Sequence, residues 1–320
     1  MMKSTVFQNR YFVFLVSLML LALSSEPGRG AEEGGKIPPV VMKQVAPDLY
    51  FHFDYDSSNS IIWVTNEGVL VIDTRQHPRG AKDLIEKIRK ITDKPIRWAV
   101  VTQAHGDHYL GNQVFKEQGA MIASQIDAAI IMEKYFDKDL ARRGAFFKRY
   151  GFDPKEIKMT LPDVTFETRM NIHLGGKTAQ LMYFGPAQDP GASFIYFPHA
   201  KALATGGSYA TRSWANPMQT PSVDGWISAL RKISEMDVDI FLPGHGDIGK
   251  KPDVKEAIDF LVDLQTAVKD AIAKGMSKEQ AAKTLQFPKY KDWRNANRGG
   301  DNIAAMHHLL TTGKSIYLDR

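Results

Sequence analysis

Apolar positions along the chain follow two rhythms. From Leu49 the runs Leu49–Phe53, Ser60–Thr65 and Gly68–Asp73 are short, rich in β-branched and aromatic residues and separated by Asn and Gly turn signals, which predicts strands. The rhythm then lengthens. Ala81, Leu84, Ile85, Ile88 and Ile91 recur at helical spacing, the stripe of a helix laid on a sheet, until Pro95 stops it. Ile96–Thr102 reads as a buried strand, Gly111–Gln118 as a short helix and Ala120–Ser124 as another strand. The theme repeats later, with strands at Val164–Glu167, Gln180–Phe184, Ser193–Phe197 and Ala202–Thr205, a helix marked by Trp226, Leu230 and Ile233, and a strand at Val238–Leu242. Pro252 then opens a long helix whose Leu261, Leu264, Val268 and Ala271 share a face before Gly275 ends it. This order predicts an α/β fold of two sheets, each faced by helices. Residues 126–158 are helix-like, with Tyr135, Phe136, Phe146, Phe147 and Tyr150 among many charges, and read as an insertion covering a pocket.

The start of the chain has a different character. Lys3 and Arg10 precede an apolar run from Tyr11 to Leu23, and small residues follow at Ser24, Ser25, Gly28, Gly30 and Ala31. That is the pattern of a secretory signal peptide over residues 1–31. The run is too short for a bilayer span, which needs about 20 residues, so no stable membrane anchor is expected after cleavage and the mature protein is expected to be periplasmic or secreted. The formal charge of +5 falls to +3 without Lys3, Arg10, Arg29 and Glu26, so the mature chain is only mildly basic. Its densest basic cluster, Arg142, Arg143, Lys148 and Arg149, reads as a solvated helix face, and no nucleic-acid partner is expected.

The 320 residues include no cysteine, so a metal site must be built from imidazole, carboxylate, amide or water. Such donors crowd one turn, Thr102-Gln103-Ala104-His105-Gly106-Asp107-His108, where a buried strand runs out toward a helix. Two imidazoles and a carboxylate give nitrogen and oxygen donors for a borderline cation such as zinc, and Asp107 offsets part of its charge. Gln103 and His105, two apart in extended chain, can face the same point. His52, His77, His173, His199, His307 and His308 read as structural or exposed. The stretch Gly206–Ala210 is a poor nucleophile elbow, because no convincing helix follows Ser208.

The motif resembles the His-x-His-x-Asp-His signature of the metallo-β-lactamase superfamily, and the resemblance runs from about Leu49 to Gly246. Val71-Ile72-Asp73-Thr74 resembles the family's opening strands, where the Asp supports the metal loop. Gly185-Pro186-Ala187-Gln188 resembles the segment that delivers a middle His ligand, Thr205-Gly206-Gly207 the Thr-Gly-Asp that bridges two metals, and Pro243-Gly244-His245-Gly246 the segment that supplies the last ligand. The resemblance implies a four-layer αβ/βα sandwich over residues 32–320, with a helical insertion near 126–158 and a helical C-terminal extension from about 252.

The departures fall unevenly. Gln103 and Gln188 stand where His is expected, and Gly207 where a bridging Asp often stands, so the implied first metal position keeps only His105. The second keeps Asp107, His108 and His245 entire. Three such donors with one open position are the usual recipe for a catalytic zinc. One zinc ion is therefore expected, with Gln103 and Gln188 as weak ligands and His105 as a ligand or proton acceptor. Zinc lowers the pKa of its water toward about 7, so the expected activity is hydrolysis of an ester, thioester, lactone or lactam in a small-molecule substrate, with Asp107 and His105 nearest the chemistry. The alternative is a non-catalytic protein of the same fold that binds a ligand or partner.

Overall fold

The computed structural model describes residues 41–54 and 57–318. The leader-like residues 1–31 lie outside them. Among the described residues, no helix is long and apolar enough to cross a membrane.

The first half builds a seven-stranded sheet in sequence order: β1 (Val41–Ala46), β2 (Leu49–Phe53), β3 (Ser60–Val64), β4 (Val69–Ile72), β5 (Ile96–Val101), β6 (Met121–Gln125) and β7 (Val164–Phe166). β1 to β4 pair antiparallel as hairpins, whereas β4 to β7 run parallel because helices connect them. Those helices are α1 (Pro78–Arg89), α2 (Gly106–Tyr109), α3 (Asn112–Glu117), α4 (Ile126–Arg142) and α5 (Gly144–Tyr150). The second half supplies β8 (Arg169–Leu174), β9 (Lys177–Met182), β10 (Phe194–Phe197), β11 (Ala202–Gly206) and β12 (Ile240–Pro243), in the order β12-β11-β10-β9-β8. Its helices are α6 (Val223–Glu235), α7 (Lys251–Ala273), α8 (Lys278–Thr284) and α9 (Gly299–Thr312).

Strand alternation explains the layering. On β3, Ile61 and Trp63 face the opposite sheet while Ile62 faces the helices; on β4, Leu70 and Ile72 face one way and Val69 and Val71 the other. The second sheet answers with Ile195, Phe197, Ala202, Ala204 and Leu242 toward the first, and Phe194, Leu203 and Phe241 toward α6, α7 and α9. The core is thus three apolar layers between four layers of structure, the expected αβ/βα sandwich. Truncating a fully buried Leu242 or Trp63 to Ala should cost about 2–5 kcal/mol.

Three strands differ from the expectation. β1 was not anticipated because it is an edge strand whose residues are largely exposed and lack a clean apolar alternation; β8 was missed although Met170, Ile172 and Leu174 face the core and alternate with exposed Arg169, Asn171 and His173. β9 begins three residues earlier than the apolar run that marks it, at the Gly175-Gly176 turn that joins it to β8, both glycines having positive φ.

Candidate metal centre

The two sheets meet so that the loop after β5, the loop before β10 and the ends of β11 and β12 converge at one edge. Asp107 and His108 lie on the single turn of α2, and His245 lies just after β12. One ligand atom from each falls within 4.8 Å of the others, making a group fit for a metal ion. His245 Nε2 is 3.1 Å from Asp107 Oδ2 and 3.3 Å from His108 Nε2, and His108 Nε2 is 3.9 Å from Asp107 Oδ2. Two imidazole nitrogens and a carboxylate oxygen with this mutual reach are a chemically suitable zinc set, and His245, 35% exposed, leaves an open side.

Neighbouring residues hold each donor. Asp73 follows β4 in the left-handed region, φ 61°, a conformation Asp tolerates at modest cost. Its Oδ1 accepts the Thr102 backbone N–H at 2.9 Å, and its Oδ2 lies 2.7 Å from His108 Nδ1. The carboxylate thereby leaves His108 Nε2 for the pocket, the usual orienting contact behind a metal-binding histidine. The loop carrying His245 is pinned by Asn59, whose amide donates to Pro243 O and Gly246 O, each at 2.9 Å. Gly244 packs against the His108 ring so tightly that a Cβ there would sit 2.7 Å from Cε1. A glycine is required.

Arg143, at the junction of α4 and α5, pairs with Asp107 Oδ1, and its second terminal nitrogen donates to Gln76 at 3.0 Å. Burial alone would raise the Asp107 carboxyl, but Arg143, then His108 and His245, hold it well below the usual carboxylate range. His108 goes the other way: burial lowers it, yet Asp73 and Asp107 outweigh burial and raise it. Arg143 corrects the expectation of a solvated basic face, since it turns inward, and neighbouring Arg142 pairs with Asp139 at 3.1 Å. Adjacency in sequence could not show which face α4 presents. Tyr109 packs and does not face the open side; its hydroxyl donates to Asp139 at 2.8 Å.

The other sequence candidates form a separate group. Gln103 Nε2 donates to Gln188 Oε1 at 3.0 Å, and Gln103 Oε1 accepts the Gly207 N–H at 2.7 Å. A Cβ at position 207 would lie 2.8 Å from Gln103 Nε2 and 2.9 Å from Gln188 Oε1. The three departures from the family pattern therefore interlock, with the amide bridge filling the space that a side chain at 207 would need. His105 is not in the Asp107 group. Its Nε2 faces Asp189 Oδ2 at 3.8 Å. Burial, then the positive charge of Arg142, holds His105 well below the ordinary histidine value. Burial pushes Asp189 up to about 7, against the opposing pull of the Gly191 and Ala104 backbone N–H groups. Asp189 was not singled out from the sequence; nothing in Gln188-Asp189-Pro190-Gly191 marks it as more than a turn residue.

The remaining histidines have structural partners. His77 caps α1 and stacks on Phe152, His199 meets Asp48, and His307 bonds Met276 O.

A sequence model of the metallo-beta-lactamase superfamily matches residues 54–245. The chain belongs to that superfamily. A metallo-beta-lactamase type 2 of Bacillus cereus is 22% identical over 217 residues, covering 66% of this chain and 76% of that protein. A linear primary-alkylsulfatase of a Pseudomonas species is 20% identical over 247 residues, covering 66% of this chain and 46% of that protein. Among solved structures, a metallo-beta-lactamase from Pontibacter korlensis superposes with a TM-score of 0.58 at 19% identity, over 70% of this chain and 100% of that one. A double mutant of the sec-alkyl sulfatase PisA1 superposes with a TM-score of 0.70 at 16% identity, over 86% of this chain and 50% of that one. Superfamily members generally use zinc, and among the described residues the group Asp107, His108 and His245 is the one candidate site of its kind.

Proposed function

We propose that the protein is an exported hydrolase that uses a single zinc ion to cleave an ester, thioester, lactone or lactam bond in a small molecule. The convergence of Asp107, His108 and His245 within 4.8 Å carries this reading. A zinc ion held by these three residues supplies Lewis acidity and acidifies water at neutral pH. The chain's own groups then have distinct tasks. Asp73 holds His108, Arg143 holds Asp107 through the oxygen that faces away from the two imidazoles, and the Gln103–Gln188 amides form a neutral hydrogen-bonding floor on the other side. Both relatives named above are hydrolases by name, one of lactams and one of alkyl sulfates, which supports the reaction class.

The test is turnover of chromogenic ester and lactam panels by the zinc-loaded mature chain. Activity lost in His245→Ala is the expected result. Export is tested by fractionation and by mass measurement of the mature N-terminus. A second reading, a ligand-binding protein without turnover, draws support from the amide bridge that replaces the first metal position. It predicts zinc near zero per chain, no change in thermal stability in Asp107→Ala and no activity on any panel member.

A further inference from the structure

Among the buried polar atoms near the metal centre that have no partner in the protein, His105 Nε2 and Asp189 Oδ2 face each other at 3.8 Å. Asp189 is fully buried and His105 is 7% exposed, so water does not freely serve either atom. The Asp189 side chain is fixed in place. Its Oδ1 accepts the Gly191 N–H at 2.9 Å across the Asp189-Pro190-Gly191 turn and the Ala104 backbone N–H also draws on the carboxylate, while Oδ2 has no bonded donor and faces the imidazole. A buried carboxylate oxygen without a donor is costly, and the ring facing it carries the donor that would satisfy it.

The same molecule contains a closed version of this arrangement. Asp73 reaches His108 Nδ1 at 2.7 Å, and the opposite ring nitrogen is the one that meets Asp107 and His245. In both pairs an aspartate outside the 103–108 motif addresses one nitrogen of a motif histidine.

We propose that Asp189 is a positioning residue for His105: it accepts Nε2–H, fixes that neutral tautomer and leaves the Nδ1 lone pair for the pocket. This rests on the hydrolase reading in one respect only, that the lone pair orients the water which attacks the substrate. The bland alternative is that Asp189 merely forms its turn. Asparagine would do that equally well, since it keeps Oδ1, but it would place an N–H where Oδ2 now faces Nε2 and drive His105 to the Nδ1–H tautomer.

The experiment is long-range proton–nitrogen NMR on the full chain with ¹⁵N-labelled histidine, metal-free and zinc-loaded, with His105→Gln to assign the signals. Wild type should show Nε2–H at His105, and Asp189→Asn should show Nδ1–H. In zinc-loaded Asp189→Asn, kcat on an ester substrate should fall about 10- to 100-fold while KM moves less than about threefold and the zinc count is unchanged. An Nδ1–H tautomer in wild type, as a protonated Asp189 donating to Nε2 would give, overturns the proposal, and so does a tautomer unchanged by Asp189→Asn. The wild-type measurement needs no variant to fold. Nε2–H at His105 in a protein that turns over no substrate would leave the Asp189 pairing standing and remove the hydrolase reading instead.

Discussion

The two halves of the pocket treat their polar groups in opposite ways. On the Asp107 side every donor has a partner that aims it: Asp73 behind His108, Arg143 behind Asp107, and Asn59 pinning the loop of His245. On the Gln103 side the two amides share one hydrogen bond and Gln103 Oε1 takes the Gly207 N–H, while His105 Nε2 and Asp189 Oδ2 face across 3.8 Å without a bond. Charge follows the same division. The first half concentrates anionic and imidazole donors where a cation would sit; the second presents neutral amides. The difference teaches that three neutral residues can close one side of a polar pocket by themselves, because Gln103 bonds both Gln188 and the Gly207 N–H and the bridge occupies the space a side chain at 207 would need.

That contrast can be broken from either side. The largest effect is expected from Asp107→Ala or His245→Ala, which should lower kcat/KM by about 10³-fold by removing the zinc and its Lewis acidity, whereas Gln103→Ala should leave most activity in the same assay. Next, Gln103→His with Gln188→His removes the amide bridge and restores two imidazoles beside His105, so zinc bound per chain should rise toward two; either change alone should not raise it. Arg143→Ala strips the guanidinium from a buried carboxylate and should destabilise the metal-free protein by about 2–3 kcal/mol in denaturant titrations. Zinc should then raise Tm more in that variant than in wild type, because the ion takes over the missing positive charge. Asp73→Asn keeps the shape but weakens the hold on His108, and calorimetry should show zinc binding about 10- to 100-fold weaker. The smallest change is expected from Asn59→Ala, which loses two hydrogen bonds to the His245 loop and should cost about 1–2 kcal/mol of stability.

Much of this was legible in the sequence for physical reasons. Buried strands such as Leu49–Phe53 and Ile96–Val101 declare themselves through apolar alternation or continuous runs, and Asp107 and His108 were visible because chemistry-bearing residues crowd one turn. His245 was reached through the Pro-Gly-His-Gly segment, since no local pattern links it to a turn 137 residues away. The edge strand Val41–Ala46 was missed because solvent, not a core, decides its side chains. Arg143 and Asp189 were missed because their roles depend on which way a helix face and a turn point, and that is fixed only by tertiary packing.

The proposed chemistry requires one cation shared by Asp107, His108 and His245. Its most direct measurement is zinc per chain by elemental analysis after dialysis against a weak chelator. The expected result is one ion in wild type and in Gln103→Ala, and close to none in Asp107→Ala. Two ions in wild type, or one ion retained in Asp107→Ala, would contradict it.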